Sequence, residues 1–192
     1  MANHVSNYIV IHGANSQAVK MVREIFRQEN PDDSEVWTAD LVNRVFDNVW
    51  PKGEEDYDRN WVEENCGAKW FHGYLESDEE DYLQLNLESA WSPVRGWVQR
   101  LYEVLSQVSP DVWITNKFED EGYGFAGFML VGKEWFNEEC MEMDEWEAEK
   151  FFEDDNLRDS FYEELNRLME EEEAAYLSSL EDEDTALELP II

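Results

Sequence analysis

Histidine and cysteine are the residues most often used for catalysis and metal binding, and this chain carries few of them. There are three histidines (His4, His12, His72) and two cysteines (Cys66, Cys140) among 192 residues. None has the spacing of an HExxH helix, a CxxC zinc ligand pair or a disulfide framework. His12 and His72 fall in expected strands and could approach each other, although histidines bonded to backbone are commoner. We therefore predict no catalytic residue, no metal site and no cofactor.

A glycine motif, GYGFAG, matches the count of the GxGxxG dinucleotide-binding fingerprint, with glycines at 122, 124 and 127. That fingerprint joins a strand to a helix, because the pyrophosphate binds at the helix N-terminus. Here the glycines open an expected strand instead, and the acidic surroundings would repel phosphate. We predict a structural role for Gly124 and Gly127 in a turn, a bulge or close packing between layers.

Carboxylates are the dominant chemical groups of the chain. There are 47 Asp and Glu against 14 Lys and Arg, a formal net charge of -33. So many acids make any chosen acid–base pair uninformative, and no GxSxG, P-loop or EF-hand pattern occurs. We therefore expect a protein that is not an enzyme. Phosphates and anionic membranes would be repelled, so the expected partner is a basic host protein or a nucleic-acid-binding complex, without direct binding to nucleic acid or membrane.

The acids are concentrated after Lys133. Residues 134–192 hold 23 acidic and three basic side chains, a net charge of -20 over 59 residues. At about 1.5 Å of rise per helical residue, the carboxylates would be spaced by about 3.8 Å, close to the roughly 3.4 Å between phosphates of one DNA strand. This density predicts a mimic of nucleic acid that inhibits a host DNA- or RNA-binding protein. The acids expected to contact the partner are Glu138, Glu139, Glu142, Asp144, Glu145, Glu149, Glu153, Asp154, Asp155, Glu163, Glu164, Glu170, Glu171 and Glu172.

Two other interpretations of the charge stay open. The acids could form a solvated helix face that serves solubility, as most charge runs do. Alternatively, the protein is an adaptor that binds its partner through the sheet or the apolar LELPII tail, while charge only steers the encounter. Salt separates the two binding modes, because mimicry weakens steeply as salt rises and DNA competes with it.

The elements that must position these residues follow from apolar periodicity. Leu83, Leu85 and Leu87 alternate with polar residues, which indicates a strand with one buried face. Asn15 and Ser92 are expected helix N-caps, and Pro93 is expected at the first helical position. The predicted strands are 8–12, 68–75, 82–88, 111–118 and 123–131, and the predicted helices are 16–26, 41–49, 61–66, 93–108 and 155–177.

This order predicts an α+β fold of the ferredoxin-like, split βαβ kind, with helices on one face of the sheet. We expect the sheet domain to span 1–133, an acidic helical region to span 134–178 and a flexible acidic tail to span 179–192. Trp70 and Trp91 are expected to anchor the core.

Four segments carry a resemblance to a known family. HVSNYIVIHG at the N-terminus, GAKWFHG (67–73), LESAWSPV (87–94) and EGYGFAGFML (121–130) resemble the ferredoxin-like domain of YubB-like proteins, which conjugative plasmids and phages carry. The resemblance covers roughly residues 4–132. It implies a phage or mobile-element origin and provides no catalytic residues.

The location expected for this protein is the cytoplasm of a bacterial host. The N-terminal MANHVSNYIVIHGAN lacks a basic region followed by a long apolar run, so it is not a signal peptide. No segment approaches the roughly 18 apolar residues of a membrane span. Two cysteines without a pairing pattern suit a reducing compartment.

Overall fold

The structure is a computed structural model in two compact units, Met1–Asp144 and Glu145–Ile192. It describes residues 3–28, 34–47, 49–50, 57–79, 82–143, 150–151 and 153–187, with the backbone alone at 78–79 and 182–187.

The first unit contains a seven-stranded sheet in which all neighbouring strands pair antiparallel. Its order is β2-β3-β4-β1-β5-β6-β7. The strands are β1 His4–His12, β2 Val36–Trp37, β3 Phe71–Glu79, β4 Tyr82–Ala90, β5 Trp113–Asp120, β6 Phe125–Gly132 and β7 Trp135–Glu142. Five of them match predicted strands, and β2 and β7 were not predicted.

Helices occupy the connections of the sheet and most of the second unit. The first unit has α1 Ser16–Ile25, α2 Thr38–Val45, α3 Arg59–Cys66 and α4 Arg95–Ser106, and the second has α5 Asp155–Leu187. The α+β class predicted from the sequence is therefore confirmed.

One face of the sheet carries the apolar cluster that packs against the helices. Successive residues of a strand point to opposite faces: in β1, Val5, Ile9 and Ile11 are fully buried, whereas Tyr8 is 41% exposed. Ile9 and Ile11 belong to one apolar cluster with residues of α1, α2, α3 and α4. These four helices thus cover the face that holds Ile9, and the face that holds Tyr8 is the opposite one.

The start of α1 agrees with the sequence. The Asn15 side chain accepts hydrogen bonds from the backbone N–H groups of Gln17 (2.9 Å) and Ala18 (3.0 Å). These donors lack partners within the helix, so the cap stabilises the first turn.

The predicted start of the long helix is wrong by two residues. The N-cap of α4 is Val94, without a side-chain cap bond. The Ser92 hydroxyl instead donates to the carbonyl of Gly67, which ends α3 in the left-handed region at φ 96°. The Val94 N–H donates to Asn7 Oδ1 at 3.2 Å. A buried asparagine from β1 thus holds the residue at which α4 begins, and Pro93 lies before the helix.

The expected tryptophan anchors are also wrong. Trp91 is 54% exposed and has a φ of 70°, so it turns out of the sheet directly after β4. Trp70 is only half-buried. Among the described tryptophans the fully buried one is Trp97 of α4, whose indole donates to the carbonyl of Leu41 at 3.1 Å. A helix position inside the apolar stripe thus supplies the core anchor.

The region 134–178 was expected to be helical, and its first part is not. Residues Trp135–Glu142 form β7, paired with β6 from Gly132↔Trp135 to Phe125↔Glu142. Lys133 and Glu134 make a two-residue turn, with Glu134 at φ 55°, which is typical of hairpins. The first unit consequently extends past the predicted boundary at 133.

The glycines predicted to be structural lie in and after the β5–β6 turn. The Gly124 N–H donates to Asp120 Oδ2 at 3.1 Å. At Gly127 a Cβ atom would lie 2.3 Å from the carbonyl oxygen of Glu139 and 2.7 Å from the Phe118 ring. Any larger side chain at 127 would therefore push neighbouring strands apart.

Helix α5 is longer than predicted. It ends at Leu187 instead of 177, so 179–187 of the expected tail has helical backbone, and residues 188–192 lie outside the described chain. Its 33 residues span about 50 Å at about 1.5 Å per residue.

Candidate protein-binding surfaces

Helix α5 has one covered face and one exposed face. Leu165 and Tyr176 are buried at 0% and 2%, and half-buried residues continue the same stripe at spacings of three and four. The opposite side carries exposed acids, which we call the acidic helix face. Its described members are Asp155, Asp159, Glu163, Glu164, Glu170, Glu171 and Glu181.

The charge density of α5 is close to that of a nucleic-acid strand. Residues 155–187 contain 12 Asp and Glu and two Arg. At about 1.5 Å of rise per residue, this is one carboxylate for about every 4 Å, compared with one phosphate for about every 3.4 Å of a DNA strand. The carboxylates are distributed along a single regular scaffold.

Arginines hold some of these acids within the helix. Arg167 donates from Nε to Glu164 (2.8 Å), from Nη2 to the same carboxylate (2.6 Å) and from Nη1 to Glu171. Hydrogen bonding from Arg167 lowers the pKa of Glu164. Arg158 pairs with Asp155 in the same way. Glu163 and Glu170 lie on a neighbouring exposed stripe, seven residues apart and therefore above one another.

Other predicted contact acids have structural positions. Asp154 accepts from the N–H groups of Asn156 (3.0 Å) and Leu157 (3.3 Å), so it caps the start of α5. Glu153 is exposed and Glu172 is half-buried. The predicted contacts Asp144, Glu145 and Glu149 lie outside the described residues.

The acids of β7 do not form one surface. Glu138 is bound by Arg95 Nε at 2.6 and 2.7 Å, and its side chain is only 18% exposed. The Arg95 guanidinium carbon also lies 5.8 Å from the Phe118 ring centroid. The Glu138 carboxylate is therefore paired within the first unit, and its contact with a partner stays a prediction. Glu139 and Glu142 are exposed but point to opposite faces of the strand.

A second surface lies on the side of the sheet away from α1–α4. We call its part on β1–β4 the open sheet face, since on β5 and β6 the same side is buried at Thr115 (4%), Phe128 (1%) and Leu130 (0%). It presents Tyr8 (41% exposed), Trp37 (58%), Tyr74 (39%) and Tyr82 (44%). Large exposed aromatics grouped on one surface are a feature of interaction sites. None of these four residues was predicted to contact a partner, although the alternation in 82–88 places Tyr82 opposite the buried leucines.

Carboxylates lie beside the tyrosines. Asn86 lies between the two tyrosines, because it is paired in register with Tyr74 on one side and with Tyr8 on the other. Its Nδ2 donates to the Tyr74 hydroxyl at 3.3 Å and to Glu76 at 3.2 Å, and the Tyr8 hydroxyl donates to Glu119 at 3.5 Å. Burial and the Glu119 charge raise the pKa of Tyr8.

At one end of this face a histidine lies between two tryptophans. The His72 ring is 4.4 Å from the Trp37 ring and 5.8 Å from the Trp70 ring, stacked with both. Its Nδ1 lies 2.9 Å from Glu35 Oε2, and its Nε2 lies 3.7 Å from Glu88 Oε1. Nδ1 makes no hydrogen bond of good geometry within the described residues, so stacking on the two indoles is what orients the imidazole.

His12, which could have approached His72, lies away from it, and the histidine near His72 is His4. His4 shares the Glu88 carboxylate with His72. His12 lies six residues further along β4, opposite Tyr82. It stacks on Trp113 at 3.8 Å, and burial lowers its pKa to about 4. No described group of three or more His, Cys, Asp or Glu side chains is arranged to hold a metal ion.

The two thiols are both free. Burial raises the pKa of Cys66 to about 12, and partial burial raises that of Cys140. Thiolate is the nucleophilic form, so neither environment is suited to activating a cysteine.

Comparison with family models, with curated proteins and with solved structures gives no match to this chain. Within the part of the chain that the structure describes, no helix combines the length and the apolar character that crossing a membrane requires.

Proposed function

We propose that this protein is a non-enzymatic inhibitor that mimics nucleic acid and occupies the basic groove of a host DNA- or RNA-binding protein. The observation that carries the proposal is the acidic helix face, a regular array of carboxylates on a helix of 33 residues. The candidate targets are a defence nuclease, a restriction enzyme, a nucleoid protein and RNA polymerase.

The driving force would be the same as for nucleic acid. A groove lined by Lys and Arg binds a polyanion largely because counterions are released when the charges meet. A preformed helix presents its carboxylates without the entropy cost of ordering a flexible chain. The exposed Glu163 and Glu170 are the acids best placed to contribute.

We also propose that β1, β3, β4 and β5 form a ferredoxin-like core to which β2, β6 and β7 are additions. The strand order β3-β4-β1-β5 supports this. So does the placement of α1–α3 between β1 and β3 and of α4 between β4 and β5, which is the split βαβ pattern. The resemblance to YubB-like proteins, the mobile-element origin and the bacterial cytoplasmic location remain predictions.

A pull-down tests the proposed function. The full chain is immobilised, exposed to a bacterial lysate in low salt and eluted in salt steps or with duplex DNA. We expect the captured protein to be a nucleic-acid-binding protein that both salt and DNA release. Capture that survives high salt and is indifferent to DNA would contradict mimicry.

The adaptor interpretation is supported by a different observation, the exposed aromatics of the open sheet face. Such an adaptor would depend on Tyr8 and Tyr74 instead of α5. Its binding would be much less sensitive to salt.

A further inference from the structure

We propose that the open sheet face is a binding site for arginine side chains of a basic peptide segment, independent of the acidic helix face. The site is centred on Tyr8 and Tyr74, which lie two strands apart with Asn86 between them. At about 4.8 Å between neighbouring strands, the two tyrosines are separated by about 10 Å at the backbone.

The aromatic rings supply the first part of the recognition. Cations bind over the faces of Tyr and Trp rings, and the planar guanidinium of arginine also stacks on them. Tyr8 and Tyr74 are each about two-fifths exposed (41% and 39%), and Trp37 on the neighbouring edge is 58% exposed. The ring surface is therefore accessible within the folded chain.

Negative charge around the tyrosines supplies the second part of the recognition. Glu76 lies beside Tyr74 through Asn86, Glu119 lies beside Tyr8, and Glu88 is the next outward-facing residue after Asn86 on β4. Lys117 is paired in register with Tyr8, and the three carboxylates outnumber this single lysine. The face thus complements a cation and repels phosphate.

A hydrogen-bond acceptor between the tyrosines supplies the third part of the recognition. The Oδ1 atom of Asn86 is shielded from solvent and has no hydrogen-bond partner among the described residues. A sheltered acceptor without a donor is unfavourable by about 1–3 kcal/mol. Guanidinium carries five N–H donors in a plane. A rotation of the Asn86 side chain that opens Oδ1 to the surface would let a guest between the rings satisfy this acceptor and reach the flanking carboxylates.

The test uses the full chain and a short peptide in which arginine alternates with serine. Calorimetry gives its Kd in about 0.3 M salt, where screening is shorter than about 8 Å, and NMR locates its contacts. We expect the Tyr8→Ala/Tyr74→Ala double variant to weaken binding about tenfold, consistent with two exposed cation–π contacts. Tyr8→Phe/Tyr74→Phe should retain most of the affinity, because it keeps the rings.

Controls separate this site from the acidic helix face and from other ligands. Phe136→Ala removes an exposed aromatic of β7, and Glu163→Gln/Glu170→Gln removes charge from α5; neither should change the Kd by more than about twofold. A peptide with citrulline in place of arginine should not bind. Equal binding by the Tyr→Ala variant, contacts confined to α5, or tighter binding of single-stranded RNA at this face would overturn the proposal. Circular dichroism verifies that each variant is folded.

Discussion

At the scale of single residues, His12 couples stability to pH. Its pKa is lowered from 6.5 to about 4 by burial, so folding favours the neutral ring. The stabilisation is complete above pH 6.5 and is lost as the pH falls towards 4. Because the ring is partly exposed, we expect the loss to be about 1–2 kcal/mol.

The variant His12→Phe keeps an aromatic ring against Trp113 and cannot titrate. Urea unfolding of both proteins at pH 7, 5.5 and 4 gives the free energy of unfolding of each. Both proteins contain the same carboxylates, so the contributions of these groups cancel in the difference. The unfolding free energy of the variant should fall less on acidification than that of the wild type. Parallel curves would show that His12 is not held neutral.

The ion pair between Arg95 and Glu138 joins α4 to β7. We expect Glu138→Gln to lower the free energy of unfolding by about 1–2 kcal/mol, because Arg95 then keeps a partly buried charge without its partner. The matched control is Glu139→Gln on the same strand, an exposed position where the change should stay within about 0.5 kcal/mol. Chemical denaturation measures both, and equal effects would contradict the assigned role of Glu138.

Among the elements, α5 should dominate binding to the partner that the pull-down recovers. Glu163→Gln/Glu170→Gln keeps helix propensity and removes two exposed carboxylates. We expect the slope of log affinity against log salt to decrease by roughly one for each ion pair that the variant can no longer form with the partner. The control Glu63→Gln/Glu64→Gln removes the same charge from exposed positions of α3. If both variants weaken binding equally, net charge and not the helix face is responsible.

Elements with a strong apolar period were predictable and the others were not. Val22 and Ile25 of α1 and Leu83, Leu85 and Leu87 of β4 identify their buried faces directly. The strand β7 has no such signal, since its sequence WFNEECME combines acids with two aromatics and none of its residues is fully buried. An acid-rich segment was therefore interpreted as helix when its pairing with β6 makes it a strand.

For the whole molecule, self-repulsion should limit stability. A net charge of -33 opposes compaction, and salt screens that repulsion. We expect the Tm to rise by roughly 5 °C between low and moderate NaCl, the shift that about 1–2 kcal/mol produces in a chain of this size. Differential scanning calorimetry over a salt series measures it. A falling Tm would mean that the ion pairs of Arg95 and Arg167 outweigh the repulsion.

The candidate surfaces were only partly predictable at this scale. The acid-rich region could be found from the sequence directly, because the density of charged residues along the chain does not depend on the fold. The open sheet face depends on which strands become neighbours, and the approach of Tyr8 to Tyr74 requires β4 to lie between β1 and β3. Nothing in the local pattern of either strand specifies that neighbour.

The borders of the sheet have a consequence for handling the protein. One border, β2, is only two residues long, and the other, β7, carries exposed Glu139 and Glu142. Short or charged borders resist pairing with the strands of other molecules. Near pH 4 the chain approaches its isoelectric point, and the repulsion between molecules falls. Acidified solutions should then form strand-to-strand aggregates, detectable by light scattering and reversed by early neutralisation.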